Sequence, residues 1–334
     1  MNTESVNKLY AKKDLTENES RELFNSVFNG DVSPVMLSSI LTALKLKGET
    51  SDEIAGAAAS MRQFSVKPEI QAENMIDTCG TGGDSSHSFN ISSASAIILS
   101  AMKYNVAKHG NRSVTSKSGS ADFYEALGVP VNLTGDEAAA YFKKHNFLFM
   151  FAPNYHPAMK YAGPVRKEIK TRTIFNYLGP LTNPAGTKKQ VIGVFHPEFL
   201  PLYAETAVKL GFERIMLYSG KSGMDEISPY EETVIYDVKN GIIEKSEMSP
   251  EKYISRSEAE SIPNGLDAVQ NANLFIKTLE FKEESPLAKL LAMNAALALK
   301  CAGYGDDYDA NYSAALKVIV DGTVKSKLEE LTAK

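Results

Sequence analysis

Between Asp77 and Ser93 the chain reads Asp-Thr-Cys-Gly-Thr-Gly-Gly-Asp-Ser-Ser-His-Ser-Phe-Asn-Ile-Ser-Ser. Gly80, Gly82 and Gly83, the Asp84 carboxylate and a run of hydroxyls lie between a short apolar strand and an apolar helix. Glycine lets main-chain N–H groups approach an anion closely, and the following helix aims its positive dipole end at the same place. Asn90 and the serines (Ser88, Ser92, Ser93) add neutral hydrogen bonds, and Asp84 can face a metal or a sugar hydroxyl. This is a phosphate cradle suited to a polyanion. It is neither a Walker loop, since Asp84-Ser85 follows Gly83 where Lys-Ser/Thr is needed, nor a dinucleotide fingerprint, since Ser85 replaces the third glycine.

Three further clusters carry chemistry. Ala107-Lys-His-Gly-Asn-Arg-Ser113 ends a predicted strand, where open α/β sheets gather ligands. Lys108 offers a point cation, and Asn111 can reach a neutral or carboxylate group. The run continues into Ser116-Lys-Ser-Gly-Ser-Ala-Asp122, a second small-residue loop opening a helix. Two such loops on neighbouring βα turns suit a ligand with two phosphate groups. Met224-Asp225-Glu226 follows another strand, and adjacent loop carboxylates suit Mg²⁺, a hard ion that bridges protein to substrate phosphates. Finally, Arg166 lies in a basic segment with Lys167, Lys170 and Arg172, ahead of a rigid Gly179-Pro180 turn; an arginine there can grip a carboxylate bidentately. No nucleophilic triad is present. His87, His109, His145, His156 and His196 lack metal-ligand spacing, and Cys79 has no base nearby. Two cysteines, Cys79 and Cys301, make neither a disulfide framework nor a zinc site, which fits a reducing cytosol.

The elements that position these groups are readable from periodicity. Thr16-x-x-Glu19 to Gly30, Ser33-Pro34 to Gly48, and Thr50-x-x-Glu53 onward are three helices, forming a small domain over 1–70. From 74 to 334 strands alternate with helices. Strands are predicted at Met75–Thr78, Asn105–Lys108, Leu148–Phe151, Gln190–Phe195 and Arg214–Tyr218. Helices are predicted at about 92–103, 119–127, 136–144 and 199–210, the third opened by Thr134-x-x-Glu137. That alternation predicts a mainly parallel sheet. Asn240-Gly241 joins Val234–Val238 to Ile242–Lys245 as an antiparallel edge hairpin, and the last hundred residues read as mostly helical. The segment 161–184 is expected to cross back onto the N-terminal helices, with a site between the domains. The 334 residues carry a net charge of −5, 43% apolar and 23% charged residues. Those values fit a globular protein and argue against a nucleic-acid-coating surface. The N-terminus lacks the apolar core of a signal peptide, and no apolar run is long enough to span a bilayer.

In order along the chain, Gly-Thr-Gly-Gly-Asp with Phe-Asn-Ile-Ser, Lys-His-Gly-Asn-Arg, Ser-Gly-Ser-Ala-Asp and Leu-Gly-Pro-Leu-Thr-Asn-Pro resemble the anthranilate phosphoribosyltransferase family. The resemblance spans essentially the whole chain. It implies a fold shared with pyrimidine nucleoside phosphorylases, in which a small α domain joins a large α/β domain. It implies transfer of a phosphoribosyl group from phosphoribosyl pyrophosphate (PRPP) to the amine of anthranilate in tryptophan biosynthesis, by a cytoplasmic homodimer joined through the α domain. PRPP would be held by Gly80, Gly83, Asp84, Ser88, Asn90, Ile91, Ser92, Ser93, Lys108 and Ser120. The loop His109, Gly110, Asn111, Arg112, Ser113, Val114, Thr115 and Ser116 would close over it. Anthranilate would meet Gly80, Asn111 and Arg166. Ser92, Asp225 and Glu226 would ligate Mg²⁺, two ions per subunit. Three residues depart from the pattern: Ser85 and Lys170 stand where glycine is usual, and Ser93 replaces a threonine. Lys170 either adds a cation beside the acceptor or points to solvent. The rival readings are a nucleoside phosphorylase, which needs one phosphate site and a base pocket, and a silent phosphate-ligand binding protein, which needs no carboxylate pair.

Overall fold

The computed structural model describes residues 3–82, 88–113, 117–281 and 283–333. Gly83, Asp84, Ser85, His87, Val114, Thr115 and Ser116 lie outside that set. Four helices come first: α1 (Thr3–Tyr10), α2 (Glu17–Asn29), α3 (Pro34–Lys47) and α4 (Ser51–Gln63). Their boundaries follow local chemistry. Thr16/Glu19 and Thr50/Glu53 close reciprocal capping boxes, Pro34 occupies the first turn of α3, and Gly30 ends α2 at φ +84°. Glu53 is fully buried, and its carboxylate also accepts the Leu15 N–H at 3.0 Å, tying the α1–α2 linker to α4. Gly56 lets α4 cross α2 closely: an added methyl would sit 2.8 Å from both the Arg21 nitrogen and Ser20 Cβ.

The α/β region runs β1 (Ile76–Gly80), α5 (Ile91–Ala101), β2 (Val106–Gly110), α6 (Ser120–Leu127), α7 (Gly135–His145), β3 (Phe147–Phe151) and α8 (Ala152–Tyr155). The chain then returns through α9 (Gly163–Ile169) and α10 (Phe175–Leu181) before β4 (Lys189–Gly193), α11 (Leu200–Lys209), β5 (Arg214–Gly220), β6 (Thr233–Lys239) and β7 (Ile242–Met248). Helices α12 (Arg256–Ser261), α13 (Ala268–Phe281), α14 (Pro286–Ala302), α15 (Tyr308–Val320) and α16 (Thr323–Thr332) complete it. Thr134 does precede α7, but its side chain makes no capping bond. Asn240 and Gly241 take φ +50° and +81°, as a two-residue hairpin turn with primed geometry requires.

The sheet order is β3-β2-β1-β4-β5-β6-β7, parallel through β5 and antiparallel at β6 and β7. The chain builds outward from β1 to β3, then crosses back to place β4 on the other side of β1. That reversal makes β1/β4 the topological switch point, where the strand ends open a crevice. One face is covered by α5, α6, α13, α14, α15 and α16 in a single core. On the other face Ile192, Ile215 and Leu217 share one core with Phe24, Ile54, Ala58, Val165 and Phe175. Helices α9 and α10 thus pack on α3 and α4, and the helical bundle is seated against the sheet. Among the described residues no helix is long and apolar enough to cross a membrane.

Candidate active site

β1 and β4 both end in glycine, and Gly80 and Gly193 are register partners across the switch point. Asp225 occupies the notch they leave. A methyl on Gly193 would lie 2.5 Å from the Asp225 carbonyl carbon and nearer still to its oxygen; one on Gly80 would lie 2.8 Å from Asp225 Oδ2. Gly82, at φ +66°, donates its N–H to that same oxygen at 2.8 Å. Glu226 is buried, and its Oε1 accepts the Ser92 N–H at the start of α5 at 3.1 Å. The two carboxylates of the 225–226 loop therefore converge on the first glycine loop.

Lys108 faces the same side. Its ammonium donates to the Thr78 carbonyl and lies 3.5 Å from both Thr78 Oγ1 and Ser92 Oγ. Burial lowers its pKa, and the charges of Asp77 and Glu226 oppose that shift. Successive strand residues point to opposite faces, so His109 turns toward the returning segment. There its ring stands 4.9 Å from that of His156 and lies against the Gly179 main chain. Burial holds both imidazoles neutral, with pKa values of about 3 for His109 and about 4 for His156. His109 Nε2 is buried and has no hydrogen-bond partner among the described residues.

Asn90 joins the two loops. Its Oδ1 accepts from Ser118 Oγ at 2.6 Å and Asn271 Nδ2 at 2.9 Å, and its Nδ2 donates to the Ser118 carbonyl at 3.2 Å. Among the described residues of the second loop, two main-chain amides are already occupied. Asp122 Oδ2 accepts the N–H groups of Ser113 and Gly119 at 3.2 and 3.0 Å. Arg112 is clasped by Asp122 and Glu125 at 2.7 and 2.8 Å. Ser120 Oγ donates to the Asn111 carbonyl at 3.2 Å, and Gly110 has no room for a side chain beside Phe149. Ile91 and Ser93 are buried at the base of α5. Ser88 lines a cavity of about 310 Å³ with Met224, Ser228, Tyr230 and Arg256, next to the carboxylate loop.

Arg166 sits in the last turn of α9, half-buried, its guanidinium 5.3 Å from the Phe175 ring centre. Arg172 stacks 3.4 Å over Phe195. Lys170 is exposed and ends α9 in the left-handed region at φ +52°. That explains the glycine expected there, because only glycine takes such a φ without steric cost. Gly193, Asp77, Asn183 and Gln190 were not singled out from the sequence. A charged residue inside a buried parallel strand is a signal for Asp77, since it demands partners.

The donor set suits Mg²⁺. Two carboxylates and a hydroxyl are hard oxygen ligands, and Mg²⁺ is commonly held by one or two carboxylates together with substrate phosphates. Among the described residues no cluster of three or more His, Cys, Asp or Glu competes for a metal.

A helical bundle joined to an α/β domain in this way is the architecture of a glycosyltransferase family, and both parts of the chain match it. Residues 3–65 match the family described as "Glycosyl transferase family, helical bundle domain", and residues 72–325 match "Glycosyl transferase family, a/b domain". Anthranilate phosphoribosyltransferase of Desulfosudis oleivorans is 39% identical over 332 residues, covering 99% of this chain and 98% of its own. That of Xanthomonas axonopodis pv. citri is 39% identical over 98% of this chain and 94% of its own. The crystal structure of anthranilate phosphoribosyltransferase from Thermus thermophilus superposes with a TM-score of 0.90 at 35% identity, covering 98% of this chain and 99% of that one. The Saccharomyces cerevisiae enzyme in complex with PRPP and Mg, at 24% identity, shares the fold with a TM-score of 0.88 over 99% of this chain and 96% of its own. The chain belongs to the anthranilate phosphoribosyltransferase family.

Proposed function

We propose that this chain transfers the phosphoribosyl group of 5-phosphoribosyl 1-pyrophosphate to the amine of anthranilate, releasing pyrophosphate, in tryptophan biosynthesis. The observation that carries the reading is the docking of Asp225 and Glu226 at the β1/β4 switch point, against Gly80, Gly82 and Ser92. In this reading the two carboxylates supply oxygen ligands for a metal beside the first phosphate loop. The Asn90 staple brings the second loop alongside, which favours a ligand with two phosphate groups.

Displacing pyrophosphate from an anomeric carbon builds positive charge on the ribose and negative charge on the leaving group. Ser92, Asp225 and Glu226 would hold Mg²⁺, two ions per subunit, which would neutralise charge on the departing pyrophosphate. Lys108, buried on β2, is fixed beforehand and needs no reorganisation as that charge develops. Gly83, Asp84, Ser88, Asn90 and Ser120 complete the PRPP contacts in this reading. Arg166, Asn111 and Gly80 would hold anthranilate, with Arg166 on its carboxylate. An aromatic amine is a free base at neutral pH, so no strong general base is required. Holding the amine against the anomeric carbon is the main task.

The assay is loss of anthranilate fluorescence on adding PRPP, with pyrophosphate release measured in parallel. The expected result is Mg²⁺-dependent turnover; absence of turnover at any Mg²⁺ concentration refutes the proposal. Nucleoside cleavage by inorganic phosphate under the same conditions would favour the phosphorylase reading instead. A homodimer through the helical domain is part of the same proposal. Val35 and Leu46 on α3 and Tyr10 on α1 are 82, 75 and 50% exposed, an apolar surface where a second copy can seat. Sedimentation should give a dimer that Val35→Glu with Leu46→Glu splits into monomers.

A further inference from the structure

Asp77 is a carboxylate in the interior of the sheet, fully buried near the start of β1. Its oxygens accept the His109 N–H at 3.2 Å, Asn183 Nδ2 at 2.7 Å and Gln190 Nε2 at 3.3 Å. These donors come from three separate pieces of chain: β2, the turn after α10, and β4. Asn183 is itself fixed. Its Nδ2 also donates to the Ala107 carbonyl at 2.8 Å, and its Oδ1 accepts the Ala185 N–H at 2.9 Å. Gln190 Nε2 donates to the Pro180 carbonyl at 2.6 Å. One carboxylate thus pins residues 180–185, the end of the segment that carries Arg166, to the strand that carries His109.

By the strand register Asp77 lies on the face of the sheet opposite Lys108, whose ammonium reaches Thr78 and Ser92, so the clamp acts on the returning segment.

We propose that Asp77 is a positioning residue for the acceptor half of the site: through Asn183 and Gln190 it fixes the end of the segment that carries Arg166 against β2 and β4. The inference rests on the proposed phosphoribosyl transfer and goes beyond it by assigning this carboxylate to the acceptor side. Asn183→Ala removes the 2.7 Å bond to the carboxylate and keeps the carboxylate itself. It should raise KM for anthranilate about tenfold and leave KM for PRPP within about twofold. Asp77→Asn, which sets an amide donor against the Asn183 and Gln190 donors, should show the same split. Circular dichroism melts establish that each variant folds. Where Asn183→Ala does not fold, Asn183→Ser provides the same test, and where Asp77→Asn does not, the Asn183 result alone decides. A folded Asn183 variant that leaves KM for anthranilate unchanged, or moves both KM values together, overturns the inference. So does a folded Asp77→Asn variant that leaves KM for anthranilate unchanged. A wild type without turnover sinks the functional reading and this inference with it; a wild type that turns over without the split sinks the inference alone.

Discussion

Replacing Gly193 with alanine tests whether the glycine notch places the metal carboxylates. Gly193 is outside the left-handed region, so alanine meets no backbone penalty there and the effect is purely steric. The added methyl would lie 2.5 Å from the Asp225 carbonyl carbon and 3.2 Å from its Cα. Side-chain methyls do not approach main-chain atoms below about 3 Å, and the barrier here is backbone, which cannot rotate away. The 225–226 loop must therefore shift by on the order of 1 Å, and displacement of that size can cost about 10²-fold in rate. Disturbing groups that orient metal ligands typically costs about 10- to 100-fold in metal affinity. Overpacking should cost about 1–3 kcal/mol of stability, leaving a folded protein. Turnover would be measured across a Mg²⁺ titration, with Mg²⁺ binding followed independently by calorimetry in the presence of PRPP. Gly163→Ala is the control, since a methyl there meets nothing within 4 Å. A Gly193→Ala enzyme with wild-type Mg²⁺ dependence and affinity would refute the notch as the device that sets Asp225.

Arg166→Ala should weaken anthranilate use far more than PRPP use, read as KM for each substrate, by about 1.5–3 kcal/mol if it holds a charged carboxylate. Asp225→Ala with Glu226→Ala should abolish metal-dependent turnover, and normal activity in that double variant would exclude the assignment. Lys170→Gly should stabilise the fold by about 1 kcal/mol, because it relieves a lysine at φ +52°; turnover should be unchanged, as Lys170 is exposed. Burial pushes the Asp77 carboxyl up to about 6 from the usual 3.8, against the pull of Lys108 and Asn183. Between those values the folded chain keeps a proton that the unfolded chain has released, so this group makes stability fall as pH rises. His109 and His156, held neutral, act in the opposite sense, lowering stability as pH falls below about 6.5. In urea titrations from pH 4.5 to 6.5, wild type should lose about 2 kcal/mol relative to Asp77→Asn, because the histidine contributions cancel in the difference. A difference independent of pH would place the Asp77 titration elsewhere.

What was legible in the sequence was local. Both capping boxes, the Ser33-Pro34 start and the Asn240-Gly241 hairpin close within a few residues, so the residues that decide them sit side by side. Every predicted strand is present; β3 (Phe-Leu-Phe-Met-Phe) and the Ile-Met-Leu-Tyr of β5 are the uninterrupted apolar runs that a buried parallel strand leaves. Helix α1 escaped notice, since its polar sequence has no capping signal and its burial of Val6 and Leu9 depends on neighbours. Thr134 shows the limit of a local signal: the spacing was right, yet the hydroxyl makes no capping bond. The first glycine loop was readable as anion-binding chemistry, but not that Asp225 reaches across to its Gly82 amide. Nor could spacing show that Asp122 takes the Ser113 and Gly119 amides of the second loop while pairing with Arg112. The Asp77–Asn183 bond spans 106 positions and exists only because the chain returns across the sheet before β4. Such contacts are created by topology. Glycines that admit another backbone, as Gly193 does, carry no chemical group to betray them, and they are where a reading from motifs alone stops short of the site.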